Sequence, residues 1–225
     1  MPWLQAPAIP AAFVHGFATR EVDPDVAPLP AGLRLYRARQ VHGDAVVVVR
    51  PESDPAAMRE QHADVLVTAA AGLAVGVLTA DCVPILLCAP ARDACAAVHA
   101  GWRGTVARSA RAAVLALRDQ YGVRPDELVA AIGPAICVAC YDIGADVAAA
   151  IARVDPLAVG RKADGCFHAD LRRANRTLLT RAGLDPAAIH DVAGCTRCDP
   201  RNRFHSYRRD RELRGEQLAF IGRPT

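Results

Sequence analysis

The sequence has little excess charge of either sign. It contains 27 lysines and arginines against 24 acidic residues, a formal net charge of +3. This charge is too small to indicate nucleic acid as the main partner. Hydrophobic residues make up 52% of the 225 residues, which is enough for a sizeable core. We therefore expect a single domain over residues 1–225, with a monomer as the default state.

A secretory signal is also missing. The first 13 residues are apolar, but they have no basic start and include Pro2, Pro7 and Pro10. We therefore expect a cytoplasmic protein whose eight cysteines are reduced. In a reducing compartment, cysteines are more often buried, metal-bound or catalytic than joined in disulfides.

The hydrophobic run over residues 69–91 is long enough to resemble a membrane span. Asp81 lies in its middle, where a carboxylate costs about 2.5–3.5 kcal/mol on an insertion scale. Pro84 would also interrupt a membrane helix. Two buried strands that meet at a polar site explain this run better, so no membrane association is expected.

The remaining pattern is mixed α and β. Short runs rich in Val, Ile and Leu predict strands, several of them apolar throughout, as in sheets covered on both faces. These strands are residues 45–49, 65–68, 73–78, 84–88, 94–98, 128–132 and 218–221. Helical spacing of apolar residues predicts helices over 105–121, 145–154 and 170–182. The proline-rich segment 21–35 is expected to be a surface connection.

Two motifs contain side chains that can bind a metal. The first has the thiol of Cys82 after Thr79-Ala80-Asp81, and the second has the imidazole of His99 at the end of a predicted strand. If strands 84–88 and 94–98 form a hairpin closed by residues 89–92, Cys88 lies opposite Asp93. The same register pairs Cys82 with His99. Cysteine and histidine are ligands that zinc prefers.

A third ligand has to come from elsewhere in the chain, and His42 is the best candidate. It lies beside Gly43, just before strand 45–49, which places it at a rim of the sheet. Three protein ligands would leave a fourth position for water or substrate, as in catalytic zinc sites.

Residues that attract anions follow His99. Gly101-Trp102-Arg103-Gly104 precedes a predicted helix, whose first N–H groups attract anions, and Arg103 adds a positive charge. Near the end of the sequence, residues 203–210 mix aromatic and arginine side chains that can stack on a base or hold a phosphate.

Simpler explanations exist for these residues, because a buried cysteine and a hydrogen-bonded histidine are commoner than metal ligands. Cys195 and Cys198 form a C-x-x-C, as do Cys137 and Cys140. Unrelated thiols, one structural zinc, or a four-thiol site built from both pairs all remain open. The arginine-rich run 197–214 is interrupted by acidic residues, which is typical of a solvated face.

In these motifs the sequence resembles the YfiH family, also called the laccase-domain or multicopper polyphenol oxidase family. The matching elements run in order through most of the chain. They are RQVHG (39–43), ADVLVT (63–68), LTADCVP (78–84), AVHAGWRG (97–104), AIGPAI (131–136), CYDIG (140–144) and SYRRD (206–210). The region around residues 16–24 departs from the family pattern, as do Cys137 and His205, so the substrate preference stays open.

The resemblance implies a layered α/β/β/α fold with mixed sheets and a zinc ion on His42, Cys82 and His99. It also implies purine nucleosides and phosphate as substrates. The expected reactions are phosphorolysis of adenosine, inosine, guanosine and methylthioadenosine, and deamination of adenosine. Copper-dependent phenol oxidation is the family's older label.

Roles for individual residues follow as expectations. Cys82, Asp81 and Arg103 form the catalytic set, with Asp81 as a proton shuttle or as the partner that orients His42 or His99. Arg103, together with Arg39 or Arg208, is expected to clamp phosphate, because arginine meets phosphate bidentately. The predicted substrate-binding residues are Arg39, Gln40, Ser206, Tyr207 and Arg208.

Three other functions compete with this prediction. In a cysteine hydrolase, with peptidoglycan precursors as one candidate substrate class, Cys82 would be the nucleophile, His99 the base and Asp81 the orienting group. A copper-dependent polyphenol oxidase would need clustered histidines, whereas the seven histidines here are scattered. A zinc-stabilised partner module without activity is the third alternative.

Overall fold

The computed structural model describes residues 2–26, 29, 32–211 and 215–225. Its strands are β1 Trp3–Leu4, β2 Val14–Ala18, β3 Arg34–Tyr36, β4 Val46–Val48, β5 Val65–Thr68, β6 Leu73–Thr79, β7 Val83–Ala89, β8 Ala94–Ala100, β9 Val129–Ile132, β10 Asp142–Ile143, β11 Val159–Arg161, β12 Phe167–Ala169, β13 Ile189–Asp191 and β14 Gln217–Gly222. Its α-helices are α1 Pro55–Glu60, α2 Trp102–Ala107, α3 Ser109–Tyr121, α4 Ala145–Ala152, α5 Leu171–Arg181 and α6 Tyr207–Asp210.

Each of the seven predicted strands is present, with ends that shift by at most two residues. The strands that the sequence pattern does not show are short. β2, for example, carries His15 and Gly16, so it lacks the continuous apolar run of the others. These strands are formed by pairing with neighbours rather than by local preference.

Two large mixed sheets form the frame. The five-stranded sheet has the order β1-β2-β14-β6-β3, and the six-stranded sheet has the order β13-β9-β7-β8-β5-β4. The middle strands of each are antiparallel, while β3 joins β6, β4 joins β5 and β13 joins β9 in parallel. A small third sheet has the order β10-β12-β11. The predicted mixed α/β class with several mixed sheets is confirmed.

The six-stranded sheet is buried on both faces. Along β7, Leu86 points to the five-stranded sheet, where it joins Phe17 and Tyr36 in one apolar cluster. Ile85 and Leu87 point the other way, into the cluster formed with α3, α4 and α5. Side chains alternate between the two faces of a strand, so burial on both faces requires an apolar residue at every position. This is why the strands read as continuous hydrophobic runs.

The outer face of the five-stranded sheet is covered differently. Leu218 and Phe220 of β14 contact Val22, Leu33 and the partly buried Trp3 on this side. In the described residues, connecting segments therefore supply apolar side chains to this face. Segment 21–35 is accordingly more than a surface connection, although its residues 27, 28, 30 and 31 lie outside the described part.

The predicted helix over 105–121 is two helices. Arg108 has a φ of +71° and separates α2 from α3, a left-handed conformation that costs roughly 1–2 kcal/mol outside glycine. No glycine or proline marks this break. The first of the two helices, α2, starts at Trp102 with Gly101 as its N-cap, close to the end of the strand that carries His99.

The hairpin register also differs from the prediction. Cys88 lies opposite Cys95 and Pro84 opposite His99, a shift of two residues. The connection is a 3₁₀ turn over Pro90–Arg92 followed by Asp93 in the left-handed region, at φ +55°, so the loop sits one residue further along than expected. Cys82 therefore precedes the paired part of β7 and reaches His99 from the loop. No described helix is both long and apolar enough to cross a bilayer.

Candidate active site

Three loops and strand ends bring the predicted metal ligands together. His42 lies in the loop before β4, Cys82 in the turn between β6 and β7, and His99 in β8. One donor atom from each lies within 4.8 Å of the others. The two imidazole rings stand nearly perpendicular, at 82°, with centroids 4.8 Å apart. The structure therefore places all three predicted ligands in one cluster.

Asp64 holds two of the ligands in place. It is completely buried, and its Oδ1 lies 2.7 Å from Nδ1 of His99. The same carboxylate accepts from the backbone N–H groups of Val41, His42 and Gly43, at 3.1, 2.9 and 2.7 Å. These contacts stabilise the left-handed backbone of His42, at φ +61°. Because Nδ1 of His99 is engaged, its Nε2 is free to bind a metal.

Asp64 was not predicted as a site residue. The expected orienting partner of the histidines was Asp81, and the structure gives that role to Asp64 instead. The sequence feature that could have identified Asp64 is a carboxylate at the start of an otherwise apolar strand, in the motif ADVLVT. A buried charge has to be paired or hydrogen-bonded, and here its partners are the ligand loop and the ligand ring.

Gly101 leaves the space in which the ligands meet. A Cβ atom at this position would lie 2.8 Å from Sγ of Cys82 and 3.0 Å from Cδ2 of His42. Both distances are shorter than van der Waals contact, so any other residue would displace the ligands. The donor set of two imidazoles and one thiol, this cradle and the Asp64 contact together fit a zinc ion.

The electrostatics of the cluster favour the thiolate. Burial raises the pKa of Cys82, but the charge of His99 and hydrogen bonds from His42 and His99 outweigh it and lower this pKa below its usual value. Burial lowers the pKa of His99, and the charge of Cys82 and the Asp64 hydrogen bond reverse this and raise it. A thiolate is the form of cysteine that binds metals or attacks carbonyl groups.

Asp81 organises a different part of the site. Its Oδ1 accepts from the hydroxyl of Thr196 at 2.6 Å, and its Oδ2 accepts from the backbone N–H of Arg208 at 2.6 Å. Its backbone is left-handed, with a φ of +92°, and these hydrogen bonds of its carboxylate go to segments other than those that carry the two histidines. Asp81 thus joins the ligand turn to the C-terminal third of the chain.

A cavity of about 630 Å³ opens beside the three ligands. Its lining includes most of the predicted residues together with an apolar and aromatic set that was not predicted. The predicted ones are Gln40, His42, Asp81, Cys82, His99, Arg103, Tyr207 and Arg208, and the others are Ala38, Leu78, Ala80, Trp102, Ile136, Tyr141, Leu171 and Glu216. Apart from Glu216, these additional residues are aromatic or aliphatic, so their sequence positions gave no sign that they belong to a site.

Two arginines of the cavity wall stack on aromatic rings. The guanidinium of Arg103 lies 4.5 Å from the ring centre of Trp102, and that of Arg208 lies 5.3 Å from the ring centre of Tyr141. Nη1 of Arg208 also donates to the carbonyl oxygen of Asp142 at 2.8 Å. Because α2 has only six residues, positive charge on this wall comes mainly from these side chains.

Three predicted binding residues have other surroundings than expected. Arg39 is exposed, is not part of the cavity lining, and its backbone bridges to His62. Ser206 is fully buried and accepts from the N–H of Arg209 as the cap of α6. The amide of Gln40 makes two hydrogen bonds of 2.7 Å to the backbone of Leu78, so it braces the wall.

Known proteins are similar to this chain in sequence and fold. The family model described as multi-copper polyphenol oxidoreductase laccase matches residues 27–224. A purine nucleoside phosphorylase from Deinococcus radiodurans is 38% identical over 188 residues, which cover 84% of this chain and 70% of that protein. Adenosine deaminase RL5, from an unknown prokaryotic organism, is 39% identical over 183 residues, covering 77% and 70%. The crystal structure of YlmD from Geobacillus stearothermophilus matches with a TM-score of 0.87 at 30% identity and covers 100% of this chain and 97% of that one.

Proposed function

Because the chain belongs to the multi-copper polyphenol oxidoreductase laccase family, we propose that it is a zinc-dependent enzyme of purine nucleosides. The proposed reactions are phosphorolysis of adenosine, inosine, guanosine and methylthioadenosine, and deamination of adenosine. The names of the relatives support these reactions. The observation that carries the proposal is the cluster of His42, Cys82 and His99 at the edge of a cavity large enough for a nucleoside.

Zinc fits this cluster better than a set of coppers. Two imidazoles and one thiolate suit a single tetrahedral ion with one open position. When bound, zinc would supply Lewis acidity and a water of lowered pKa. Among the described residues, the other group of donors close enough to hold a metal consists of four cysteines. It offers no further histidines for a multicopper centre.

Arg103 and Arg208 are the proposed phosphate clamp. Both line the cavity, and stacking on Trp102 and Tyr141 restricts their motion, so less entropy is lost when they bind an anion. Between the two partners that the sequence offered for Arg103, the cavity favours Arg208 over the exposed Arg39. Tyr207, 51% exposed, lies where it can contact the base.

Asp81 keeps a place in the proposed catalytic set because it lines the cavity beside Cys82. Its hydrogen bond to the backbone of Arg208 fixes the start of α6, and with it the position of the arginine. A proton delivered to the nucleobase would have to reach it from a group on this wall. Asp81 is our candidate for that group.

The test is phosphate-dependent release of adenine or hypoxanthine from nucleosides by the purified, zinc-loaded protein, with ammonia release as the assay for deamination. Cys82→Ala should abolish both activities, whereas Cys166→Ser, which changes an exposed cysteine elsewhere, should leave them unchanged. Full activity of Cys82→Ala would refute the metal role of this residue.

The same protein distinguishes the competing chemistries. The arrangement of Cys82, His99 and Asp64 also matches a nucleophilic cysteine with its base and orienting group. Activity that survives removal of all metal, and is lost on alkylation of Cys82 by iodoacetamide, would identify such a nucleophile. Phenol oxidation that is seen with copper and vanishes when only zinc is bound would support the copper-dependent oxidase instead.

We also propose that residues 1–225 form one domain that acts as a monomer in the cytoplasm, where its thiols stay reduced. Light scattering at micromolar concentration tests the monomer, and a single thermal transition tests the single domain.

A further inference from the structure

Two C-x-x-C segments far apart in the sequence lie side by side. The first runs from Cys137 to Cys140 and includes the 3₁₀ turn Val138–Cys140. The second runs from Cys195 to Cys198. A parallel β-bridge between Ala135 and Cys195 aligns the two segments, so all four thiols face one another. None of them belongs to the cavity lining described above.

The spacing of the four sulfurs matches a tetrahedral metal site. One Sγ from each cysteine lies within 4.8 Å of the other three, and Sγ of Cys137 is 3.9 Å from Sγ of Cys198. A zinc–sulfur bond of about 2.3 Å puts tetrahedral sulfurs about 3.8 Å apart. All four cysteines are free, and a distance of 3.9 Å is far beyond the length of a disulfide, about 2.05 Å.

Backbone groups and arginines offset negative charge at this cluster. The N–H groups of Cys137 and Cys198 donate to Sγ of Cys195 at 3.3 and 3.4 Å. Nη1 of Arg197 donates to the carbonyl oxygen of Cys140 at 3.0 Å, and Nη1 of Arg209 donates to the carbonyl oxygen of Thr196 at 2.9 Å. The two backbone hydrogen bonds to Sγ of Cys195 fix the orientation of this sulfur and stabilise its thiolate, while the two arginines bind the backbone of the cysteine segments and place positive charge near them.

We propose that Cys137, Cys140, Cys195 and Cys198 bind a second zinc ion as a closed structural site. Four thiolates fill a tetrahedral coordination shell and leave no position for water or substrate. This distinguishes the second site from the three-ligand cluster, which keeps one position open. The second site needs neither nucleoside nor phosphate, so it stands independently of the proposed function.

The ion would tie together the segments that form one wall of the cavity. Thr196, between the second pair of cysteines, donates to Asp81. Tyr141 follows Cys140 directly and stacks against Arg208. Because zinc would join the backbone before Tyr141 to the backbone around Thr196, it would hold the supports of Arg208 and Asp81 in a fixed relation.

The test is the zinc content per chain of protein purified from zinc-supplemented cells. We expect about two zinc ions in the unaltered protein and in Cys166→Ser, and about one in Cys137→Ser/Cys198→Ser. His42→Ala/His99→Ala should also retain about one zinc ion. The two double variants therefore test the proposed three-ligand site and the proposed four-cysteine site separately. Equal zinc content in the Cys137→Ser/Cys198→Ser variant and the unaltered protein would overturn the proposal.

A second measurement covers the case in which the double cysteine variant does not fold. In His42→Ala/His99→Ala, these four thiols should react with a thiol reagent only after a strong chelator has removed one zinc ion. In the unaltered protein, where Cys82 is also a proposed ligand, five thiols should become reactive as the chelator removes two zinc ions. Peptide mapping that finds these cysteines joined as disulfides would overturn the proposal. Bound iron in place of zinc would do so as well.

Discussion

Two buried aspartates organise different parts of the candidate site, and they do so in different ways. Asp64 accepts four hydrogen bonds, three from consecutive backbone N–H groups and one from an imidazole, and all of them position metal ligands. Asp81 accepts two, from Thr196 and the backbone of Arg208, and both position the arginine wall, apart from the proton transfer proposed for this carboxylate, which a change in kcat would report. The comparison shows that separate carboxylates hold the three-ligand cluster and the arginine wall, so we expect that each can be disturbed while the other is retained.

The largest effect is expected for Asp64→Asn. An amide cannot accept all four hydrogen bonds, so the His42 loop loses support and His99 loses its orienting partner. Changes to such groups typically lower metal affinity 10–100-fold. We expect a loss of zinc affinity in this range in competition with a chromogenic chelator.

At saturating zinc the KM for nucleoside should be near normal for Asp64→Asn. Asp44→Asn, an exposed aspartate in the same loop region, is the matched control and should bind zinc normally. A raised KM with unchanged zinc affinity in Asp64→Asn would contradict the separate roles assigned to Asp64 and Asp81.

Asp81→Asn is expected to give the opposite result. A hydrogen bond to a charged acceptor contributes about 1.5–3 kcal/mol, so its weakening should raise the KM for phosphate about tenfold or more. The zinc content of the three-ligand cluster should not change. Loss of zinc would show that Asp81 supports the ligands after all.

A smaller effect is expected for Thr196→Val, which removes one of the two hydrogen bonds to Asp81 and keeps the side-chain shape. Loss of about 1 kcal/mol corresponds to a change in KM of about fivefold. In the double variant with Asp81→Asn, the two effects should not add, because they remove the same contact. Full additivity in steady-state kinetics would separate Thr196 from the Asp81 wall.

The smallest effect is expected for Arg39→Ala. The side chain is exposed and lies outside the cavity lining, so stability should stay within about 0.5 kcal/mol and the KM for phosphate should be nearly unchanged. Arg208→Ala, measured beside it, should raise that KM strongly. A large effect of Arg39→Ala would return this residue to the phosphate clamp.

Many strands of the two large sheets could be predicted, because strands that are buried on both faces, such as β7 and β8, have continuous apolar sequences. The short strands β10 to β13 could not, since neighbours rather than composition create them. Arg108 gave no signal for the break between α2 and α3. The register of the hairpin differed because the turn Pro90–Arg92 adopts a 3₁₀ conformation that hydrophobic patterning does not encode.

The site shows the same division. Cys82 and His99 could be brought together by neighbouring strands, and His42 by its place at a strand entry. Asp64 could not be assigned, because its role depends on contacts across 21 to 35 residues of sequence. The sequence left several interpretations of the two cysteine pairs open, and the bridge between Ala135 and Cys195 is a long-range contact that brings the pairs face to face.

The position of β14 has a consequence for how the protein folds. β14 lies between β2 and β6, so during synthesis these two strands expose unpaired edges until residues 217–222 emerge. Such edges are prone to pair with other chains. The strand order therefore makes closure of this sheet a late event with long-range contacts, which slows folding. A chaperone that covers these edges, or rapid translation of the residues up to β14, would have its largest effect in that interval.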